Sequence, residues 1–466
     1  MPKYRLPPRP ENTGLAVASL VGVTVTSALG MSIPNVAMPL ISDAFDVSVS
    51  ATQWVSLSFL LFSSLLMVPV GRIADSVGRV KVLLVGIAVF TTGSLLAGFA
   101  TSLFFLSAAR AIMGIGGAAM TALPVALVRQ TVPPERIGRT MGLIGSSMAF
   151  GWALGPAAGG LLAAAMGWRS VFFVLIPLGM IGFAVAWGGL PRRRGGTGLP
   201  LKTDWAGSAT LALALTCYSV GLTLRPFGVA GTVTLVLVGA LALVGFVLVE
   251  LRVSAPLVDF RVLSHVGVYP GLITAFLASV IMMTFTVIPP FYLAHGLELD
   301  ASHVGLAMAV GPAVAVLSGV PAGRLVERFG ARPIFILGLA FLTLASLGFA
   351  VLPPAWGLVG FLLSAVTLTP GNQMFMAANN TSVMARSGFE HQGAVSGVLS
   401  LSRNLGSITG VAVAAALFDA AEARVPGPWG ATVGLQVTFA VGAALGAAGL
   451  AIAVSTGRRA KGTAIK

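Results

Sequence analysis

Chemistry in this chain must come from very few charged side chains. Of 466 residues, 9% are charged and 56% are hydrophobic. Two arginines, Arg110 and Arg403, stand inside long apolar runs, while all 14 acids sit in connectors or at the ends of such runs. A guanidinium carries five N–H donors and no acceptor, so in an apolar run it either caps carbonyls or meets an anion. No carboxylate is available at the same depth to hold a cation or pass a proton. The four histidines (His265, His295, His303 and His391) lie in connectors or near run ends, with no pair on one helix face. Together with the single Cys217 this argues against a metal site or a disulfide framework. No Gly-rich phosphate loop with a lysine occurs, and no acid pair lies within a run, so neither an enzyme nor a cofactor is expected. The remaining polar or polarisable candidates within the runs are Met31, Ser32 and Asn35; Met148 and Trp152, one turn apart; Met282 and Phe285; and Asn372, Gln373 and Met376. Methionine and aromatic side chains adapt to varied apolar ligands, and amides hydrogen-bond without net charge. This chemistry suits a small-molecule substrate. A single methionine is more often a packing residue than a ligand contact, and the amides of 372–380 are harder to explain that way.

The elements that hold these residues are membrane helices. Soluble proteins carry about 25% charged residues, far above the value here. Apolar runs near the roughly 20 residues needed to cross a bilayer recur along the chain, and backbone in lipid must pair with itself, so the runs are helices. Fourteen spans are expected, at about 14–40, 54–71, 82–100, 102–127, 141–166, 169–190, 206–224, 230–250, 266–293, 302–322, 333–353, 355–382, 392–418 and 430–455, with the bounds read by hydropathy. With the N-terminus inside, 23 of the 28 Lys and Arg fall in inner segments, and Arg169, Arg225 and Arg424 fall outside. This asymmetry sets both termini on the cytoplasmic side. It also explains the net charge of +14 without nucleic acid. The first run follows Lys3, Arg5 and Arg9 and reads as an uncleaved span rather than a signal peptide.

A charged turn occurs twice. Gly71-Arg72-Ile73-Ala74-Asp75-Ser76-Val77-Gly78-Arg79-Val80-Lys81 joins spans 2 and 3, and Gly323 to Arg332, with Glu327, Arg328 and Gly330, joins spans 10 and 11. The fold class is therefore all-α integral membrane, with 14 transmembrane helices: two six-helix pseudo-repeat bundles plus an inserted helix pair. The bundles are 1–190 and 256–466, and the linker with helices 7 and 8 is 191–255. Gly71 and Gly78 permit a tight reversal, and the acid at the same place in both copies exceeds what topology alone requires. Gly151, Gly155 and Gly159, at spacing four, place small residues on one helix face, and Pro156 can kink that helix. Arg110, Gly114 and Gly117 also share a face, leaving room beside the guanidinium.

These residues resemble a known family. Gly71, Asp75, Gly78, Arg79 and Lys81 are similar to the loop 2–3 signature of the major facilitator superfamily. Arg110, Gly114, Gly116 and Gly117 resemble its span 4 signature, and Gly151, Gly155, Pro156, Gly159 and Gly160 its antiporter signature in span 5. Asn35-Val36-Ala37-Met38-Pro39, Trp54 and Pro256–Arg261 resemble the fourteen-helix drug:proton antiporter branch. The resemblance implies efflux by alternating access, with protons as counter-ion and the lipid bilayer as surroundings; a monomer is expected. It implies gating or coupling roles for Gly71, Asp75, Gly78, Arg79, Arg110, Glu327 and Arg328. It also implies helix flexing between halves at Gly151, Gly155, Pro156 and Gly159.

The chain departs from that branch in one respect. Span 1 there carries an acid five residues before the asparagine matched by Asn35, and here the position is Gly30. With Arg110 and Arg403 as the only charges inside spans, neutral or anionic amphiphiles are the expected cargo. The alternatives are a transporter for one metabolite or lipid-like compound and a transporter-like ligand sensor.

Overall fold

In the computed structural model, the described residues are 13–133, 136–191, 205–224, 228–250, 268–425 and 427–463. The segments 192–204 and 251–267, with Pro256–Arg261, lie outside them. All regular structure among the described residues is helical. In chain order the helices are α1 (Thr13–Val36), α2 (Met38–Phe45), α3 (Val49–Thr52), α4 (Trp54–Val77), α5 (Arg79–Gly98), α6 (Leu103–Thr131), α7 (Ile137–Met166), α8 (Ser170–Phe173) and α9 (Leu175–Gly189). They continue as α10 (Trp205–Leu224), α11 (Gly228–Glu250), α12 (Tyr269–Val287), α13 (Pro289–Phe291), α14 (Ala301–Phe329), α15 (Ala331–Glu422) and α16 (Pro428–Thr463). Among the described residues, 11 stretches are long and apolar enough to cross a membrane. The protein is thus a multi-pass membrane protein.

α15 is continuous by hydrogen bonding but not straight. Its first stretch, Ala331–Val383, holds 53 residues, about twice what one crossing needs. Pro353, Pro354 and a left-handed Gly357 (φ 52°) mark its reversal. Past that point the two arms touch: the Phe349 and Phe361 rings are 5.5 Å apart, and a Cβ on Gly338 would lie 2.8 Å from Phe375 Cα. Glycine at 338 allows backbones to approach this closely.

The chain forms two compact units. Unit 1 is Met1–Pro34 with Ser58–Thr203; unit 2 is Asn35–Leu57 with Asp204–Lys466. The segment from Asn35 to Leu57, carrying α2 and α3, therefore groups with the second half of the chain although it follows α1. α10 also belongs to unit 2, where the Tyr218 hydroxyl and the Thr409 hydroxyl are 2.8 Å apart. The core of unit 2 is aromatic: Phe349 stacks on Phe439 with ring centres 4.4 Å apart, and Phe285 lies 5.6 Å from Phe349. Leu317, Val320, Leu344 and Val351 are exposed, as expected of helices whose outer surface meets lipid rather than water.

Helix ends are closed by carboxylates. Asp300 caps α14: its Oδ1 accepts the His303 N–H at 2.9 Å and the Ser302 hydroxyl at 2.6 Å. The Ser302 hydroxyl, then the His303 backbone and ring, hold the Asp300 carboxyl well below its ordinary range. The cap is thus formed above that range and is lost only as pH falls through the lowered value. α3 is closed from further away. Asp419 accepts the N–H of Val49 at 3.1 Å and of Ser50 at 3.0 Å, while the Ser48 hydroxyl accepts the Ala51 N–H at 3.2 Å. Three N–H groups that a helix start leaves free are thereby paired. Beside them His295 Nε2 lies 3.6 Å from Asp43 Oδ1. Asp419→Ala should remove about 1–2 kcal/mol of stability, and Asp419→Asn less, since the amide keeps one acceptor. Thermal unfolding of the purified full chain in detergent measures both; an unchanged midpoint for Asp419→Ala would show the cap to be dispensable.

Candidate functional site

In unit 1 the functional candidates converge on Arg110. It projects from α6, whose start is capped by the Ser102 hydroxyl accepting the Phe105 N–H at 3.2 Å. The guanidinium is 1% exposed. Its Nη1 donates to the Gly30 carbonyl of α1 at 2.8 Å, and its carbon sits 4.5 Å above the Phe59 ring of α4. A Cβ on Gly114 would lie 2.6 Å from Phe59 O, and one on Gly117 would lie 2.9 Å from the Phe59 ring. The small residues beside Arg110 therefore make room for Phe59, and one arginine ties three helices together. Gly30, where the resemblance implied an acid, faces the Phe90 ring, which occupies the space a Cβ would need. That space is filled by an aromatic side chain from α5.

The glycines of α7 seat that helix on α1. A Cβ at Gly151 would meet Ala28 Cβ at 2.6 Å, one at Gly155 would press on Ser32, and one at Gly159 would meet the Ile33 carbonyl at 2.7 Å. The Ser32 hydroxyl is shared between Ala28 O at 2.9 Å and Gly151 O at 3.1 Å. Ser32, expected to line a cavity, is buried at 1% exposure with its hydroxyl bonded between the two helices. Pro156 is buried beside these glycines, and Met31, Met148 and Trp152 are half-buried.

The two turns agree in backbone geometry. Gly78 has φ 115° and Gly330 has φ 84°. Each N–H donates to the carbonyl four residues back, Ala74 and Val326, both at 2.9 Å. Each glycine also precedes the first residue of the next helix. Arg79 Nη1 donates to the Ala126 carbonyl at 3.1 Å, fixing the start of α5 to α6. In the second copy Glu327 and Arg328 are exposed, and Arg328 lies 5.2 Å over the Phe329 ring. The second turn is held from below by apolar packing of Ala322, Val326 and Ile334 on Met374 and Ala378. Gly71 is half-buried, and the side chain of Asp75 lies outside the described residues.

In unit 2 the amides form a second polar centre. Asn379 is 1% exposed, and its Nδ2 donates to Gly271 O at 3.2 Å. Gln373 Nε2 donates to Ala315 O at 3.1 Å. Arg403 Nη2 donates to Asn380 Oδ1. Asn372, Met282 and Met376 are half-buried. Phe285, expected to line a cavity, is 5% exposed, with the Phe361 ring stacked 6.4 Å from it and the Phe349 ring tilted at 5.6 Å. A phenylalanine on an apolar helix carries no signal separating these roles. Asn35, 8% exposed, accepts the Ser56 hydroxyl at 2.8 Å. Asp419 carries no mark in the sequence as an organising residue, because its partners are backbone N–H groups some 370 residues away.

Long apolar helices around two separate buried polar centres define a multi-pass membrane transporter. Solved structures support this at the level of the fold. A peptide transporter of the POT type in complex with sulfate aligns with TM-score 0.71 over 95% of each chain at 16% identity. A bacterial homologue of the human lysosomal transporter Spinster aligns with TM-score 0.67 over 96% of this chain and 97% of the other, also at 16% identity. The chain belongs to the Major Facilitator Superfamily, whose profile matches residues 20–411 and again 271–463. It is a transporter and not an enzyme. It is similar to the riboflavin transporter RibZ of Clostridioides difficile, 28% identical over 84% of this chain and 85% of the relative. It is also similar to the tetracenomycin C resistance and export protein of Streptomyces glaucescens, 28% identical over 90% of this chain and 78% of the relative. The methyl viologen resistance protein SmvA of Salmonella typhimurium is 27% identical over 88% of this chain and 84% of the relative.

Two outcomes follow from this geometry. Gly78→Ala, at a backbone angle that L-residues rarely adopt, should cost about 1–3 kcal/mol, and Gly330→Ala a similar amount, read from thermal unfolding in detergent. An undiminished midpoint in either variant would contradict the positive φ. Arg110→Ala should cost about 2–5 kcal/mol, the range for emptying a large buried site, and lower the yield of monodisperse protein. A variant that assembles and unfolds like the parent would remove Arg110 from the packing of unit 1.

Proposed function

We propose that this chain is an efflux transporter for neutral or anionic amphiphilic molecules, working by alternating access in a bacterial plasma membrane with both termini cytoplasmic. In this reading the membrane is crossed fourteen times: Ala331–Val383 crosses twice, and α10 and α11 are the inserted pair, as in the fourteen-helix drug:proton antiporter branch. The carrying observation is the placement of charge, with two arginines inside spans and all 14 acids outside them or at their ends. A buried cation repels cationic cargo and attracts anions, and charge within a span faces the interior or a cavity. An anion leaves an inside-negative cell down the membrane potential, worth about 2.3 kcal/mol per charge per 100 mV, and so needs no proton. If protons are exchanged, they pass through acids at the ends of spans, among which Asp75, Glu250, Asp259 and Glu327 are the candidates. Similarity to proteins named for resistance and export supports the efflux direction. In this reading the turns at Gly71–Lys81 and Gly323–Arg332 serve gating, with Asp75, Arg79, Glu327 and Arg328 as their charged members.

A second reading is transport of one metabolite, favoured by the similarity to a riboflavin transporter across most of both chains. Proteoliposome flux decides between them. A panel of neutral, anionic and cationic dyes is loaded, and pH gradient and membrane potential are imposed separately. We expect several neutral and anionic dyes to move, with anion flux following the potential. Cation efflux that requires a pH gradient would sink the charge preference, and movement of one compound alone would establish the second reading.

A further inference from the structure

We propose that Arg403 and Asn380 form a receptor for a singly charged oxyanion: the carboxylate, sulfonate or phosphate ester of an amphiphile, whether free cargo or lipid head group. This deepens the efflux reading and rests on it for the cargo source.

The argument starts from the donors. Arg403 offers five N–H groups. Among the described residues one is used, in the bond from Nη2 to Asn380 Oδ1. Nε is buried with no partner among them, and no described carboxylate lies within ion-pair distance of the guanidinium. Asn380 meets the guanidinium with its amide oxygen, which accepts from Nη2. The guanidinium thus keeps unused donors with no described carboxylate to meet them. An oxyanion fits this arrangement: the guanidinium fork matches two oxygens side by side, and the Asn380 oxygen fixes the plane of that fork.

The surroundings hold these two side chains in place. Asn379, next to Asn380, donates to Gly271 O at 3.2 Å, and Ser402, next to Arg403, donates to Leu272 O at 2.7 Å. Both neighbours anchor on successive carbonyls of α12, so the stretches carrying Arg403 and Asn380 are pinned to one helix start. Gly406, one turn on, brings the Arg403 stretch within a Cβ distance of 2.9 Å from Ser279. The centre is also reachable from one membrane face. Arg403 is the sixth residue of the crossing Val398–Glu422, and Asn380 lies three residues before the end of Ala331–Val383. At about 1.5 Å per residue both stand within roughly 5–8 Å of the ends of their crossings. Because Arg403 bonds Asn380 and their neighbours both anchor on the start of α12, those ends face the same side. A cation at this depth is costly unless an anion or water reaches it.

The test uses the purified full-length chain and two matched probes, 1-pyrenebutyrate and its uncharged methyl ester. Arg403→Gln should lower the acid-to-ester affinity ratio about tenfold or more, the scale of one lost charge-assisted hydrogen bond. Arg403→Lys should fall between, since an ammonium keeps the charge but not the fork. A parallel arm measures thermal stability in phosphatidylcholine with and without phosphatidylglycerol. A phosphatidylglycerol stabilisation lost in Arg403→Gln, with an unchanged probe ratio, assigns the oxyanion to a lipid head group. An unchanged ratio with no such lipid effect overturns the receptor. Failure of the parent chain to bind either probe would count against the amphiphile reading alone, and the lipid arm would then decide the receptor.

Discussion

Inside hydrocarbon every backbone N–H and C=O must find a partner within the protein, and this requirement shapes every feature of the chain. It makes the crossings helical, and it leaves side chains as the only means of joining one helix to another. Apolar side chains gain little from meeting each other rather than lipid tails, so close backbone approach and buried hydrogen bonds must hold helices together. The contacts of α7 with α1 show both devices at once. Three glycines bring the backbones together, and the Ser32 hydroxyl bonds across to the Gly151 carbonyl. Arg110 is the extreme case, a charged side chain used to hold a carbonyl and an aromatic ring in one interior.

The two arginines within spans therefore differ in kind. Arg110 is enclosed, with Gly30, Phe59 and the glycines of α6 around it. Arg403 is half-buried near the end of its crossing, bonded to one amide and carrying a buried Nε without a described partner. The first guanidinium is bonded across helices; the second keeps donors unused among the described residues. The two cations inside spans thus differ in how far neighbouring groups of the protein enclose them.

The duplicated turn also divides into two parts. Its glycines have the same backbone role in both copies, with positive φ and the same hydrogen bond four residues back. The residues around them differ: Arg79 reaches the Ala126 carbonyl, whereas the second copy rests on the apolar cluster of Val326, Ile334 and Met374. Duplication has preserved the bend and let the fastening diverge. Asn35–Leu57 shows a comparable freedom, since it continues α1 in the chain yet groups with unit 2 and has α3 closed by Asp419.

By itself the sequence determined the membrane class, the positions of most crossings, the repeated turn and the confinement of acids to span ends. These are properties of composition and order along the chain, fixed by what lipid excludes. The face shared by Arg110, Gly114 and Gly117 was equally legible, because it follows from helical period alone. The partners of that face were not, since Phe59, Gly30 and Phe90 come from three other helices whose rotation about their axes leaves no local mark. For the same reason the sequence carries no mark of the burial of Phe285 and Ser32 among neighbouring helices, or of the bonds by which Asp419 closes α3. Only the tertiary structure decided these, because a membrane helix is apolar on every side, and only its neighbours establish which face meets protein and which meets lipid.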